Sequence, residues 1–186
     1  KPKFWGIKPE PRGMAGPEHA HWDGHFPGHM ETLRGILEYA IVTNNARLKL
    51  FVREGYEWAR YYGVARMGWF DTQICTLGRM IALAIKLCDA GIGDYWEDID
   101  QYIRNQGTEQ QILRADFLEK ISEAGPVHEV RDKDRWETGD KVIERSIGDW
   151  ACCGWPTVML RAKDSNSITH ACCTPHASMG LYYAWE

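Results

Sequence analysis

The sequence lacks a surplus of charge of either sign, and it lacks a long apolar run. Its 22 Lys and Arg residues against 26 Asp and Glu residues give a formal net charge of −4, so no basic excess points to nucleic acid. No apolar stretch approaches the roughly 20 residues that a helix needs to cross a membrane. Six cysteines in 186 residues are too few to demand a disulfide scaffold. We therefore expect neither nucleic acid nor a membrane as a partner.

The sequence also lacks the features of natural termini. It starts at Lys1 without an initiator Met, and it stops at Trp185 and Glu186 inside a helix-like apolar pattern. A chain of this length fits one domain, so we expect residues 1–186 to form a single helical domain that is a fragment of something larger. No signal peptide is visible, and the localisation stays open between cytoplasm and periplasm.

Alternating strand patterns are missing, whereas apolar residues recur at helical spacing in several stretches. The pattern predicts helices over about 30–45, 47–62, 74–90 and 94–121, the last with a weak point at Gly107, and a final helix from near Ser178. Short connections make successive helices antiparallel hairpins. We therefore predict an all-α fold built as an array of αα-hairpins.

Two adjacent cysteines, Cys172 and Cys173, stand just before the final helix. Thiolates bind zinc strongly and become nucleophiles when their pKa is lowered. Neighbouring cysteines close an ordinary disulfide only with awkward geometry. The alternative is that both are small buried apolar residues. A second pair, Cys152 and Cys153, could compete for a metal.

Histidines crowd the amino-terminal region, which is rich in Pro and Gly and is predicted to be extended through Pro27. They could ligate a metal or hydrogen-bond a polar substrate, or they could simply be solvated. Because Gly and Pro intervene, His25 and His29 are expected to converge through a turn rather than through a regular helix. Nine Trp and eight Tyr residues suit either a carbohydrate surface or a large core. The charged stretch over 127–150 is interpreted as a solvated face.

Read together, Gln73-Ile74-Cys75 at the start of one helix and Cys172-Cys173 before another resemble the glycoside hydrolases of family 127, the β-L-arabinofuranosidases. In that family a Glu-x-Cys segment and a later Cys-Cys pair bind one zinc ion within an (α/α)6 barrel. The sequence Thr174-Pro175-His176 is similar to the segment that follows the family's cysteine pair, and Gly28-His29 is similar to its helix start.

The resemblance implies part of an (α/α)6 barrel that hydrolyses a furanoside with retention of configuration. It implies zinc ligation by Gln73, Cys75, Cys172 and Cys173, with Cys172 as the nucleophile. Gln73 stands where the family has Glu, and an amide oxygen is a neutral, weaker donor. Glu57 is the candidate acid and base. The residues expected to contact the carbohydrate substrate are His21, His25, His29 and His176.

Two alternatives stay open. In one, Gln73 marks a non-catalytic relative whose cleft only binds carbohydrate or a partner. In the other, the chain is a thiol-binding or metal-binding helical protein unrelated to carbohydrate. Because a partial barrel leaves an apolar edge exposed, we also expect association with a second copy or with the missing part of the barrel.

Overall fold

The computed structural model describes residues 25–70, 73–124, 139–152 and 172–186. These ranges contain seven α-helices, and their only β-type pairings are two isolated bridges. The all-α prediction is therefore confirmed for the described part of the chain. The helices are α1 (Phe26–Val42), α2 (Ala46–Tyr62), α3 (Cys75–Asp89), α4 (Trp96–Tyr102), α5 (Asp116–Ala124), α6 (Val142–Arg145) and α7 (Cys173–Trp185).

Helix α1 begins earlier than the sequence pattern predicted. The carbonyl of His25 accepts a helical hydrogen bond from the amide of His29 at 3.3 Å, so the expectation of a non-helical turn between them was wrong. Pro27 is tolerated because a first-turn residue needs no amide donor. Phe26, 4% exposed, stacks on Trp58 of α2 with ring centroids 5.6 Å apart, and this burial stabilises the early start.

The predicted fourth helix is divided. Its first part, α4, begins at Trp96 rather than at residue 94, and it continues into a π-helical segment, Ile103–Gly107. The chain then leaves the helix because the backbone of Ile112 pairs with residues 148 and 149 through bonds of 2.7 and 2.8 Å. Helix α5 follows as a separate element, and the short helix α6 lies within the charged stretch over 127–150.

Helix α7 begins at Cys173, five residues before the predicted start near Ser178. Its first turn holds Thr174 and Pro175, and proline is compatible with that position for the same reason as in α1. The cysteine pair therefore lies at the amino end of the helix rather than in a preceding loop. This placement fixes the direction of both side chains relative to α3.

Helices α1 and α3 run in the same direction. Two ion pairs join them, Glu31 to Arg79 at 3.5 Å and Glu38 to Lys86 at 3.0 Å, and the second pair lies seven residues further along both helices than the first. Helix α7 is also parallel to α3. Cys173 lies beside Cys75, and Gly180, further along α7, lies against Gly78 and Ile81, further along α3. Helices α2 and α4 return in the opposite direction, as expected for αα-hairpins.

The centre of the fold is α3, which packs against α1, α4 and α7. Its buried positions occur on nearly every side, as expected of a central helix. Two glycines bring α3 and α7 together: a Cβ on Gly78 would lie 1.9 Å from the carbonyl oxygen of His176, and a Cβ on Gly180 would lie 2.7 Å from the Gly78 Cα. Only residues without side chains allow this approach.

A buried polar network holds α2 against α4. The Tyr56 hydroxyl donates to Asp98 at 3.0 Å, and Arg60 lies 2.8 Å from the same carboxylate. Burial raises the pKa of Tyr56 well above its usual value, and the neighbouring Tyr102 and Asp98 add to this effect. These partners all lie on α2 and α4, so we interpret the network as a structural connection between the two outer helices.

No helix in the described ranges is both long enough and apolar enough to span a membrane.

Candidate metal centre

Three cysteines converge at the amino ends of α3 and α7. The sulfurs of Cys75, Cys172 and Cys173 all lie within 4.8 Å of one another, and the last two are 3.7 Å apart. Thiolates about 2.3 Å from a shared zinc ion lie about 3.8 Å from one another, so the residues present fit such an ion. The group could hold a metal ion. Cys75 and the Cys172–Cys173 pair are far apart in sequence. They meet here because Gly78 of α3 and Gly180 of α7 let the two helices approach closely.

Burial differs among the three thiols. Cys75 is 1% exposed and Cys173 is 0% exposed, whereas Cys172 is exposed. The pKa of Cys75 is raised, first by its hydrogen bond with Cys173 and then by burial, while the guanidinium of Arg79 acts in the opposite direction. A bound cation would reverse this preference, since it favours the thiolate form.

Gln73 lies next to this group. Its side-chain oxygen Oε1 accepts a hydrogen bond from the Cys75 sulfur at 3.5 Å. The fourth position implied by the family resemblance is therefore near the sulfurs in space, and its donor is a neutral amide oxygen. Whether Gln73 ligates a metal stays a prediction.

Arg79 and His176 connect the two helices beside the sulfurs, and sequence reasoning missed the role of Arg79. Arg79 Nη2 lies 2.9 Å from His176 Nε2, and His176 Nδ1 contacts the carbonyl oxygen of Cys172. Since a guanidinium only donates, Nε2 must accept, so Nδ1 carries the proton and donates to the carbonyl. Arg79 also lies 3.5 Å from Glu31 of α1. The sequence offered one signal for this role: Arg79 lies four residues after Cys75, so the two side chains lie on the same face of a helix.

The histidines predicted to face substrate fall into two groups. His25 is exposed before α1, His29 is 7% exposed in its first turn, and His176 lies in the first turns of α7. Because α1, α3 and α7 are parallel, these three histidines lie at the same end of the fold as the cysteines. His21 lies outside the described residues.

Glu57 has other contacts. It accepts a hydrogen bond from the Tyr95 hydroxyl at 2.8 Å and pairs with Arg60 at 2.8 Å. Among the described residues, no carboxylate joins the three sulfurs as a fourth ligand within the same 4.8 Å limit. The structure therefore brings Gln73 and the three cysteines together, but it leaves Glu57 in a different set of contacts.

Cys152 is a further thiol at this site. Its sulfur lies 2.9 Å from the sulfur of Cys173, and the residue is 3% exposed. The sequence pattern named it only as part of a second cysteine pair, because nothing local shows that the chain returns to the start of α7. Cys153 lies outside the described residues.

Comparisons with protein families, with curated proteins and with solved structures each gave no match.

Proposed function

We propose that this chain is part of an (α/α)6-barrel glycoside hydrolase that cleaves a furanoside of the β-L-arabinofuranoside type with retention. The observation that carries the proposal is the convergence of Cys75, Cys172 and Cys173. The parallel inner set α1, α3 and α7, with α2 and α4 antiparallel to it, supports a segment of such a barrel. The cysteine order and the neighbouring Gln73 agree with the resemblance seen in the sequence.

Zinc suits this donor set, and when bound it would keep the three sulfurs deprotonated at neutral pH. Cys75 and Cys173, both buried, anchor the group, while Cys172 presents an exposed sulfur to substrate. The Cys172 sulfur attacks the anomeric carbon as the glycosidic bond breaks, which forms a thioether. Water then displaces the sulfur from the same carbon, and two inversions give retention.

An acid must protonate the departing oxygen and later deprotonate water. We assign this role to Glu31, which Arg79 links to the cysteine group and which is 54% exposed at its side chain. Glu57 is the alternative carried over from the sequence, although it is engaged by Tyr95 and Arg60. The variants Glu31→Gln and Glu57→Gln distinguish the two assignments. The assigned acid is the one whose loss abolishes turnover of a substrate with a poor leaving group.

Zinc content is the first test. We expect one zinc ion per chain by elemental analysis, lost in Cys75→Ala and Cys172→Ala. Cys88→Ala is the matched control, because Cys88 lies on the same helix as Cys75 but its sulfur accepts from the amide of Tyr95. Equal zinc content in Cys75→Ala, Cys172→Ala and the parent protein would refute the metal site.

Hydrolysis is the second test. The chain should release nitrophenol from a nitrophenyl β-L-arabinofuranoside, and Cys172→Ala should abolish the release. Cys88→Ala should retain it. A protein that binds zinc at these cysteines and has no hydrolase activity would refute the catalytic part of the proposal alone.

A non-catalytic metal-binding protein is the second candidate. Gln73 supplies a neutral oxygen where the family has a carboxylate, and no described carboxylate replaces it among the sulfurs. Such a protein would bind zinc through the same thiols, and its aromatic and histidine-rich end would bind carbohydrate without cleaving it. A protein that binds zinc but does not hydrolyse the arabinofuranoside favours this candidate.

The outer face of α7 supports the proposed association with another copy or with the rest of a barrel. Its exposed apolar side chains have exposed fractions of 43% to 80%: Met179, Leu181, Tyr182 and Trp185. Exposed apolar side chains on one helix favour a covering partner. Light scattering of the purified chain should give a mass above that of a monomer, and a strictly monomeric mass at high concentration would contradict self-association.

A further inference from the structure

The Cys152 sulfur is not one of the three that converge in the metal site proposed above. It lies outside the group whose sulfurs are all within 4.8 Å of one another, although it is 2.9 Å from Cys173. Two thiolates that share a zinc ion lie about 3.8 Å apart, whereas a disulfide bond measures about 2.05 Å. The Cys152–Cys173 separation falls between these values. Because Cys152 touches Cys173 but lies outside the three-sulfur group, its position favours a bond to Cys173 over a share in the metal.

Backbone pairing fixes the position of Cys152. The amide of Ala151 donates to the carbonyl of Gln110 at 2.8 Å, and the indole of Trp150 donates to the carbonyl of Gly107 at 2.8 Å. Cys152 follows directly, and its buried side chain is directed at the start of α7. The approach of the two sulfurs thus depends on the contacts of Trp150 and Ala151.

We propose that Cys152 and Cys173 form a reversible disulfide under peroxide, and that this disulfide removes Cys173 from the metal group. The exposed thiol of Cys172 is the point of entry, because Cys152 and Cys173 are buried. The sulfurs form a path of two short steps, 3.7 Å from Cys172 to Cys173 and 2.9 Å from Cys173 to Cys152. Oxidation would then control whether the site can bind a metal ion.

The chemistry balances with hydrogen peroxide as the oxidant. The Cys172 thiolate attacks one peroxide oxygen, the O–O bond breaks, and hydroxide leaves, which gives a sulfenic acid. Cys173 attacks that sulfur, and the sulfenic oxygen leaves as water. Cys152 then attacks the Cys173 sulfur, and Cys172 leaves as a thiolate. Overall two thiols lose two electrons and two protons, and one peroxide becomes two waters.

The last step is favourable because a bond between adjacent cysteines has strained geometry, and strained disulfides exchange readily. The product joins two residues that are far apart in sequence and already in contact. Cys173 can no longer serve as a thiolate ligand, so a bound metal loses one of its three sulfurs. Reduction by a dithiol restores the group.

Peptide mapping tests this inference on the full chain, both metal-free and zinc-loaded. After peroxide treatment and trypsin digestion without reductant, we expect peptide 146–161 linked to peptide 164–186. Fragmentation spectra should assign the link to Cys152 and Cys173 rather than to Cys153 or Cys172. A chromophoric chelator should record zinc release at the same rate. A link that involves only Cys172 and Cys173, or no link at all, would overturn the proposal.

Variants separate the steps. Cys152→Ala should form no such link and should accumulate the Cys172–Cys173 disulfide instead, since no second buried thiol captures Cys173. Cys172→Ala should slow formation of the link in the metal-free protein by about tenfold or more, because the exposed entry thiol is gone. Cys88→Ala should behave as the parent protein.

Zinc that stays bound to the parent protein while the Cys152–Cys173 link forms would refute the competition between disulfide and metal. The metal-free arm needs neither zinc nor hydrolase activity. The disulfide can therefore form in the metal-free protein even if the chain is not a hydrolase. Failure of the disulfide proposal and failure of the proposed function are thus distinguishable. The wild-type map also tests the proposal without relying on the folding of any variant.

Discussion

The substitution Gly78→Ala tests why the cysteines meet. The new Cβ would lie 1.9 Å from the carbonyl oxygen of His176 and 2.8 Å from its carbonyl carbon. Both atoms belong to the backbone of α7, so no change of rotamer relieves the clash. Helix α7 must move by about 1.5 Å to restore an ordinary contact.

The expected effect on stability follows from two opposing terms. Forcing an extra carbon into a packed interface costs about 1–3 kcal/mol, and contact with rigid backbone puts this site at the upper end. Alanine returns about 1 kcal/mol through its higher helix propensity. The free energy of unfolding should therefore fall by about 2 kcal/mol. Zinc affinity should also fall by about tenfold or more, because the shift separates Cys75 from Cys173.

Gly35→Ala is the matched control, since a Cβ there meets nothing within 4 Å in the middle of α1. It should raise the free energy of unfolding by about 0.5–1 kcal/mol and leave zinc affinity unchanged. Urea unfolding of the three proteins, followed by circular dichroism, measures the first quantity, and competition with a chromophoric chelator measures the second. If Gly78→Ala gains stability as Gly35→Ala does and binds zinc like the parent, the close helix contact does not position the cysteines.

Three further predictions address single groups. Tyr56→Phe should lower the free energy of unfolding by about 1 kcal/mol at pH 7. It should also flatten the loss of stability above about pH 10, because the folded protein holds this hydroxyl neutral while the unfolded chain ionises it; urea unfolding at several pH values measures both effects. Arg79→Met should weaken zinc binding about tenfold, whereas Lys86→Met, which removes a comparable α1–α3 ion pair, should not. Gln73→Glu should tighten zinc binding, and an unchanged dissociation constant would show that residue 73 is not a ligand.

Helix periodicity predicted most of the central fold. The start of α2 follows from Asn45, whose side chain accepts from the amide of Leu48 at 3.1 Å, and that signal is local. The predicted starts of α1 and α7 are too late, and each of these helices has a proline in its first turn, which is compatible with a helix start. In α1 the deciding interaction is the stacking of Phe26 on Trp58, a contact between residues distant in sequence.

The site was predictable only in part. Cys75, Cys172 and Cys173 carry local motifs, and Gln73 lies two residues from the first of them. Residues that act through distant contacts carry no such motif. Arg79 reaches His176 across two helices, and Cys152 reaches Cys173 through backbone pairing with residues 110–112. Gly78 could be interpreted from sequence only as a weak point in a helix.

The uneven burial of the thiols bears on which function the site serves. A structural metal site is closed by its ligands, whereas a catalytic site keeps one face open. Here Cys75 and Cys173 are buried and Cys172 alone of the three is exposed. Three thiolates outweigh a divalent cation by one negative charge, and the neutral Gln73 adds none, so Arg79 beside Cys75 can compensate that charge. A bulky alkylating reagent should therefore modify Cys172 first. Equal modification of Cys75 would show that the group opens as a whole, and the case for a directed nucleophile would fail.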